Sequence, residues 1–258
     1  MKNILKNIVN RRVGNSEIVE VEQLNPEEEE TIFLPMAGDA LNITEQYNQI
    51  IFFYEAGICQ LTSKLEILKQ EFQACKNRNP IENIETRVKS PESIKGKMER
   101  RGFPLTISSM IKNIMDIAGI RVVCPFISDV YYIAEFLLKQ EDIEKIQIKD
   151  YIKNPKENGY RSLHLIVMVT VYFSDHKCNV PVEIQLRTIA MEFWATLEHQ
   201  LRYKKNGNRI ESMQKQLKQC AELVTTADYK MQQLADQWLY PFGHTAIQAP
   251  AEQAFSLR

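Results

Sequence analysis

No sign of charge dominates this chain. Thirty-two Lys and Arg stand against 33 Asp and Glu, a formal net charge of -1. That excludes the global basic signature of a nucleic-acid binder, so any anion site must be a local patch. Long apolar runs are missing too. No stretch approaches the about 20 residues that a bilayer-spanning helix needs, and the apolar part of MKNILKNIVNRR at the start is too short for a signal peptide. A cytoplasmic location is expected, with no membrane partner. The five cysteines, Cys59, Cys75, Cys124, Cys178 and Cys220, form no C-x-x-C and are odd in number, which reads as reduced thiols. No Cys/His spacing suits zinc. There is no G-x-x-x-x-G-K-[ST], no G-x-G-x-x-G and no G-x-S-x-G, so if the chain is a nucleotide enzyme it is neither P-loop nor Rossmann type.

What the chain has is a 44% hydrophobic composition and enough length for a sizeable core. Five segments are expected. Residues 1–43 form an N-terminal extension whose part 14–40, with the acidic run Glu27 to Glu30, has the composition of a solvated linker. A helix then spans 44–80, capped by Thr44. Its stripe of Tyr47, Ile51, Tyr54, Ile58, Leu61, Leu65, Leu68 and Phe72 alternates steps of four and three. An α/β domain occupies 81–205, a second striped helix 206–240 and a tail 241–258. The second stripe runs Ile210, Met213, Leu217, Cys220, Val224, Ala227, Met231, Leu234 and Trp238. Either each stripe packs on the central domain, or the two pack together or across subunits.

Within the central domain, Ser90 caps a helix with Pro91 at its first position and Gly102 past its end. Helices are expected at 108–116, 128–140 and 190–204. Strands are expected at 120–126, stopped by Pro125, and at 143–151. A hairpin joins 163–173 to 179–187 through Ser174, Asp175 and His176. The fold class is α/β, a mixed β-sheet flanked by helices, with additional N- and C-terminal helices.

Four groups carry chemistry. RVKSPESIKGKMERR at 87–101 holds six basic and two acidic residues. Ser93, Lys97 and Arg100 share a helix face near the free amides of the N-terminus, a setting for polyphosphate; a solvated basic face is the plain alternative. Asp116, at a helix-to-strand junction before Gly119, can hold a hard cation or simply fill a turn. Glu183, Gln185 and Arg187 alternate with Val182, Ile184 and Leu186, so they share one face of a strand. The neighbouring run at 163–173 is apolar on both faces, which favours a wet cleft over an exposed surface. Tyr160, after the turn Asn158–Gly159, is placed to stack a purine, with Lys149, Lys153, Lys156 and Arg161 in the same polar loop. His164, Glu198 and His199 read as structural on spacing. Two carboxylates from separate strands with a remote basic helix suggest a metal-assisted nucleotidyl or pyrophosphoryl transferase.

The ordered series R-V-K at 87–89, Ser93, Lys97, D-I-A-G-I-R at 116–121, K-D-Y-I at 149–152, P-K-x-N-G-Y-R-S-L-H at 155–164, V-E-I-Q-L-R-T at 182–188 and W-A-x-L-E-H at 194–199 resembles the RelA/SpoT synthetase domain. Chain length points to the small alarmone synthetases. The resemblance implies a nucleotidyltransferase-like fold and magnesium-dependent transfer of pyrophosphate from ATP to the 3′-hydroxyl of GDP or GTP, with GMP a further candidate acceptor. The products would be ppGpp or pppGpp and AMP, signals of the stringent response. It implies that Arg87 and Arg121 sandwich adenine and that Lys89, Ser93, Lys97 and Arg100 hold the ATP phosphates. Asp116 and Glu183 would bind magnesium, Glu183 also handling the proton of the acceptor hydroxyl. Tyr160 would stack on guanine, with Lys149, Lys156, His164 and Gln185 around the acceptor nucleotide. A homo-oligomer is implied, a homotetramer by the family pattern. No His-Asp pair accompanies the four histidines, so alarmone hydrolysis is not expected. Glu66 and Asn83 stand where product-activated tetramers carry Lys and Phe, and Glu192 replaces an amide, which weighs against product activation. The alternative reading is a catalytically weak nucleotide- or RNA-binding regulator on the same fold; RNA as a partner draws no support from the charge balance.

Overall fold

The computed structural model describes residues 40–76, 78–203 and 210–239; the expected extension and tail lie outside them apart from the first residues of helix α1. That helix (Ala40–Lys76) begins four residues before the expected start at Thr44 and ends before the expected 80. Its stripe is an inner face: Tyr54, Ile58, Leu61, Leu65, Leu68 and Phe72 are all buried. Gly57 sets how close the helix comes to the sheet, since a Cβ there would lie 2.9 Å from Val180 Cγ1. Packing on the central domain thus accounts for the first stripe.

Strand β1 (Asn83–Val88) was not expected from the sequence. Helix α2 (Pro91–Arg100) starts as anticipated, Ser90 Oγ accepting from Ser93 N and Pro91 leading the helix, and it buries Ile94 and Met98. Gly102 follows with φ 67°. Helix α3 (Ile107–Asn113) is capped by Thr106 and stops three residues short of 116, which leaves Asp116 in the turn before β2 (Ala118–Cys124). Helix α4 (Ile127–Leu138) and strands β3 (Ile143–Asp150), β4 (Leu163–Tyr172) and β5 (Lys177–Thr188) follow within a few residues of expectation. Helix α5 (Ile189–Tyr203) continues directly from β5, with the Thr188 hydroxyl accepting from Met191 N at 3.1 Å. Helix α6 spans Ile210–Trp238.

The five strands form one mixed sheet in the order β1-β2-β5-β4-β3. Only β2 and β5 run parallel; the other three pairings are antiparallel. A parallel pair needs a long crossover, supplied here by α4, β3 and β4. The register lays Arg87, Gly119, Glu183 and Ile166 in one row across four strands. It lays Glu85, Arg121, Gln185, His164 and Lys149 in the next row across all five. The period of two puts both rows on one face, while Ile120, Leu165, Val182, Ile184 and Leu186 on the other face are buried.

The second stripe fares differently. Helix α6 packs on α5 and α4 through Ala221, Asp228 and Ala235, which are buried and spaced by seven. Met231, Leu234 and Trp238 of the expected stripe are exposed, as is Leu223.

Candidate active site

The two polar rows create the site because β5 is buried on its apolar side and only half-buried on its polar side. Glu183 and Gln185 are partly buried and Arg187 fully so; the triplet lines a cleft. The arginine was visible in the sequence only as part of the alternation, without a role. Its Nη2 donates to the Tyr160 hydroxyl at 2.7 Å and to Gln185 Oε1 at 3.0 Å. Gln185 Nε2 donates to Glu183 Oε2 at 2.8 Å. Tyr160 hydroxyl and His164 Nε2 are 2.8 Å apart, and His164 Nδ1 and Glu183 Oε1 are 3.1 Å apart. Arginine can only donate, so the tyrosine hydroxyl is free to donate to Nε2, and Nδ1–H then donates to Glu183. His164, read as structural from spacing and as an acceptor-side residue from the resemblance, sits in direct contact with the central carboxylate. Burial raises the Glu183 pKa, but the interactions with His164 and Gln185 outweigh it, and the group ends below its ordinary value.

Tyr160 is flanked by cations. Lys156 Nζ lies 4.7 Å from its ring centroid and 4.6 Å from that of Tyr151, and Arg187 Cζ lies 5.1 Å from Tyr160. Tyr151, which packs edge-on to His164 at 5.2 Å, is another site residue that sequence reasoning missed. Burial lowers the pKa of Lys156, with Lys149 and Arg187 adding to that effect against Glu183 and Glu198. Lys149, in the His164 row, completes this basic and aromatic side.

On the other side of the sheet row, Asp116 holds two cations. Lys89 Nζ and Lys97 Nζ donate to its Oδ2 at 2.5 and 2.6 Å. Burial raises the Asp116 pKa, yet these bonds and charges leave it below the ordinary value. Burial also lowers Lys89. Asp116 Oδ1 is buried and has no hydrogen-bond partner among the described residues. Asp116 lies within electrostatic reach of Glu183, on which its charge acts to raise the pKa. No group of three or more His, Cys, Asp or Glu able to hold a metal occurs among the described residues.

Not every expected residue converges there. Arg87 lies on the site face and crosses Gly119, where a Cβ would be 3.5 Å from its Cγ. Arg121 shares that face, but its Nη1 donates to Glu85 at 3.0 Å and Glu192 at 2.9 Å. Glu192 also accepts from Arg187 at 2.7 Å, tying the two arginines together. Ser93 is exposed and bonds to Ser90. Arg100 is exposed, its Nη1 folded back to 3.3 Å from the Cβ position of Gly96.

Known proteins share the sequence and the fold of this chain. The family model described as "Region found in RelA / SpoT proteins" matches residues 86–208. GTP pyrophosphokinase YwaC of Bacillus subtilis is 42% identical over 193 residues, covering 75% of this chain and 92% of that protein. GTP pyrophosphokinase YjbM of the same organism is 35% identical over 190 residues, covering 74% and 89%. The crystal structure of small alarmone synthetase 1 from Bacillus subtilis, bound to its product pppGpp, superimposes with a TM-score of 0.69 at 34% identity, covering 75% of this chain and 98% of that one.

Proposed function

The chain belongs to the RelA/SpoT family, and from that premise we infer that it is a GTP pyrophosphokinase. It moves the β,γ-pyrophosphate of ATP onto the 3′-hydroxyl of GDP or GTP, with GMP a further candidate acceptor, and releases AMP. One observation carries the reading. Glu183 is gripped by His164 and Gln185 between a cationic pair on Asp116 and an aromatic platform at Tyr160. Such an arrangement suits two nucleotides with a base between them.

Phosphoryl transfer asks for in-line positioning and charge neutralisation more than covalent help. Lys89 and Lys97 hold the ATP phosphates, exchanging one carboxylate for a more highly charged partner, and Ser93 and Arg100 line the approach along α2. Arg87 and Arg121, one row apart on the same face, take the adenine. Guanine stacks on Tyr160, with Lys149, Lys156, His164 and Gln185 at the acceptor phosphates and ribose. Glu183 takes the hydroxyl proton as the oxygen attacks the β-phosphorus and the bond to the α-phosphate oxygen breaks. Its depressed pKa keeps it ionised at neutral pH, and its strength as a base is needed only as the hydroxyl acidifies in the transition state.

The donor set fits Mg2+. Asp116 and Glu183 offer hard oxygen ligands, one of them the unpartnered Asp116 Oδ1. This ion is commonly held by one or two carboxylates together with substrate phosphates. When bound, it supplies charge neutralisation at the polyphosphate.

Ile189, Phe193, Leu197 and Leu201 on α5, spaced by four, are apolar and exposed, as are Leu223, Met231, Leu234 and Trp238 on α6. They support a homo-oligomer of this chain, a tetramer by the family pattern, and solution mass tests it. Among the described residues no helix is long and apolar enough to cross a membrane.

Purified protein given ATP, GDP and Mg2+ should yield AMP and guanosine tetraphosphate. Glu183→Gln should lower kcat by at least about 10²–10⁴-fold, the usual worth of a general base, with both nucleotides still bound. Turnover near wild type in that variant would remove Glu183 from the chemistry.

A further inference from the structure

The loop between β3 and β4 carries Tyr160, and its two ends are tied by Tyr151 N donating to Ser162 O at 2.9 Å. Inside that tie sits Arg161, only 6% exposed and without a part in the mechanism above. Its Nη2 donates across the loop to Ile152 O at 3.0 Å and out of it to the Tyr229 hydroxyl of α6 at 2.8 Å. The guanidinium also lies 4.9 Å from the Tyr229 ring centroid. Arg161 Nε and Nη1 are buried with no hydrogen-bond partner among the described residues. A buried guanidinium so sparsely bonded leans on the few partners it has, and one of its two hydrogen-bond acceptors, together with the ring it lies against, comes from α6. Asp228, one residue before Tyr229, is buried within electrostatic reach of Arg161.

Three more contacts join α6 to the acceptor side. Tyr160 packs on Trp194, Ala195 and Ala221, together with Leu217 and Val224. A Cβ on Gly159 would fall 2.4 Å from Ala221 Cβ. Asp228 Oδ2 accepts from the Thr188 hydroxyl at 2.8 Å, and Thr188 directly follows Arg187, which donates to Tyr160. The donor-side groups sit instead on β1, its connection to α2, α2 itself, the turn before β2 and β2, whereas α6 packs on α4 and α5.

We propose that Arg161 and Tyr229 are positioning residues, a brace through which α6 holds the Tyr160 loop closed for the acceptor nucleotide. The proposal rests on the assignment of Tyr160 to the acceptor. The brace predicts a split between the two substrates: loosening it weakens GDP and leaves ATP alone.

The test uses the full chain and two variants. Tyr229→Phe removes one hydroxyl and keeps the ring; Arg161→Lys keeps the charge and loses the planar guanidinium, whose Nη2 donates to Ile152 and Tyr229 together and which lies against the Tyr229 ring. In each, KM for GDP and the GDP dissociation constant by calorimetry, with a non-transferable ATP analogue present, should rise about tenfold, the scale of one hydrogen bond to a charged group. KM for ATP should stay within about twofold on the same reasoning. A role confined to stability would lower Tm with both constants unmoved, and that result, or an equal rise for ATP, overturns the brace. Wild-type protein that binds GDP but makes no alarmone would instead defeat the proposed function, while weaker GDP binding in Tyr229→Phe would still uphold the brace.

Discussion

Gly159→Ala perturbs the closest approach in the acceptor loop and can be worked through from the geometry. Gly159 has φ 88°, where an L side chain costs about 1–2 kcal/mol. Its added Cβ would also lie 2.4 Å from Ala221 Cβ and 3.9 Å from the Cα atoms of Ala221 and Lys218. Helix backbone does not yield as a flexible side chain does, so overpacking adds about 1–3 kcal/mol. Together these give about 2–5 kcal/mol, and in a protein of this size each kcal/mol moves Tm by about 2–4 °C. Gly102→Ala is the control, since Gly102 has φ 67° and nothing within 4 Å of the Cβ position. It should show the backbone cost alone, about 1–2 kcal/mol. Adding Ala221→Gly to Gly159→Ala removes the collision, and the cycle of single and double variants should show a coupling of about 1–3 kcal/mol. Thermal or denaturant unfolding of the five proteins reads the energies, and steady-state kinetics reads KM for GDP, which should rise in Gly159→Ala and recover in the double variant. A coupling below about 0.5 kcal/mol, the ordinary error of additivity, would refute the packing argument. So would a Gly159→Ala protein as stable as Gly102→Ala.

Two further outcomes follow from the donor side. Lys97→Ala should raise KM for ATP about 10- to 100-fold, the worth of a charge-assisted hydrogen bond of about 1.5–3 kcal/mol. It should leave KM for GDP within about twofold, since Lys97 reaches Asp116 and not the Tyr160 loop; a larger rise for GDP would misplace the lysine. Acid should act through Asp116 and Glu183. Burial of each raises its pKa but is outweighed by Lys89 and Lys97 on the one and by His164 and Gln185 on the other, so both end below their ordinary values. Their stabilisation is complete above the unfolded carboxylate range near pH 4 and is lost as pH falls through the lower folded values. Asp228, raised chiefly by burial, gains stability as it protonates and works the other way. Melting curves from pH 7 to 3 should therefore show a smaller acid drop in Asp116→Asn than in wild type, and parallel curves would contradict the assignment.

The parts of the site that could be read in the sequence are those governed by local geometry. Glu183, Gln185 and Arg187 share a face because strand side chains alternate, and the apolar partners Val182, Ile184 and Leu186 are buried as the alternation requires. Ser90 caps α2 because a hydroxyl three residues before a free amide can reach it. Strand β1 escaped notice because it is an edge strand whose Asn83, Glu85 and Arg87 face solvent, leaving too little apolar signal in six residues. The face that α6 turns inward was legible only in part, through Leu217 and Val224 of the expected stripe, which pack on Trp194 and Ala221. Ala221 and Asp228 carry little or no hydrophobic signal, while Met231, Leu234 and Trp238 drew attention and are exposed.

By itself the sequence determined the elements other than the edge strand β1, the ordered motifs of the RelA/SpoT family and the chemistry available: two carboxylates, a basic helix and a tyrosine after a tight turn. These rest on backbone periodicity and residue type, which are local. Tertiary structure alone decided that Lys89 and Lys97 meet on Asp116, that Glu192 links Arg121 to Arg187, and that Tyr229, 68 positions away in the chain, holds Arg161. Such pairings depend on the register of β2 against β5 and on where α6 docks. Those are settled by packing among distant segments, for which no short stretch of sequence carries a period.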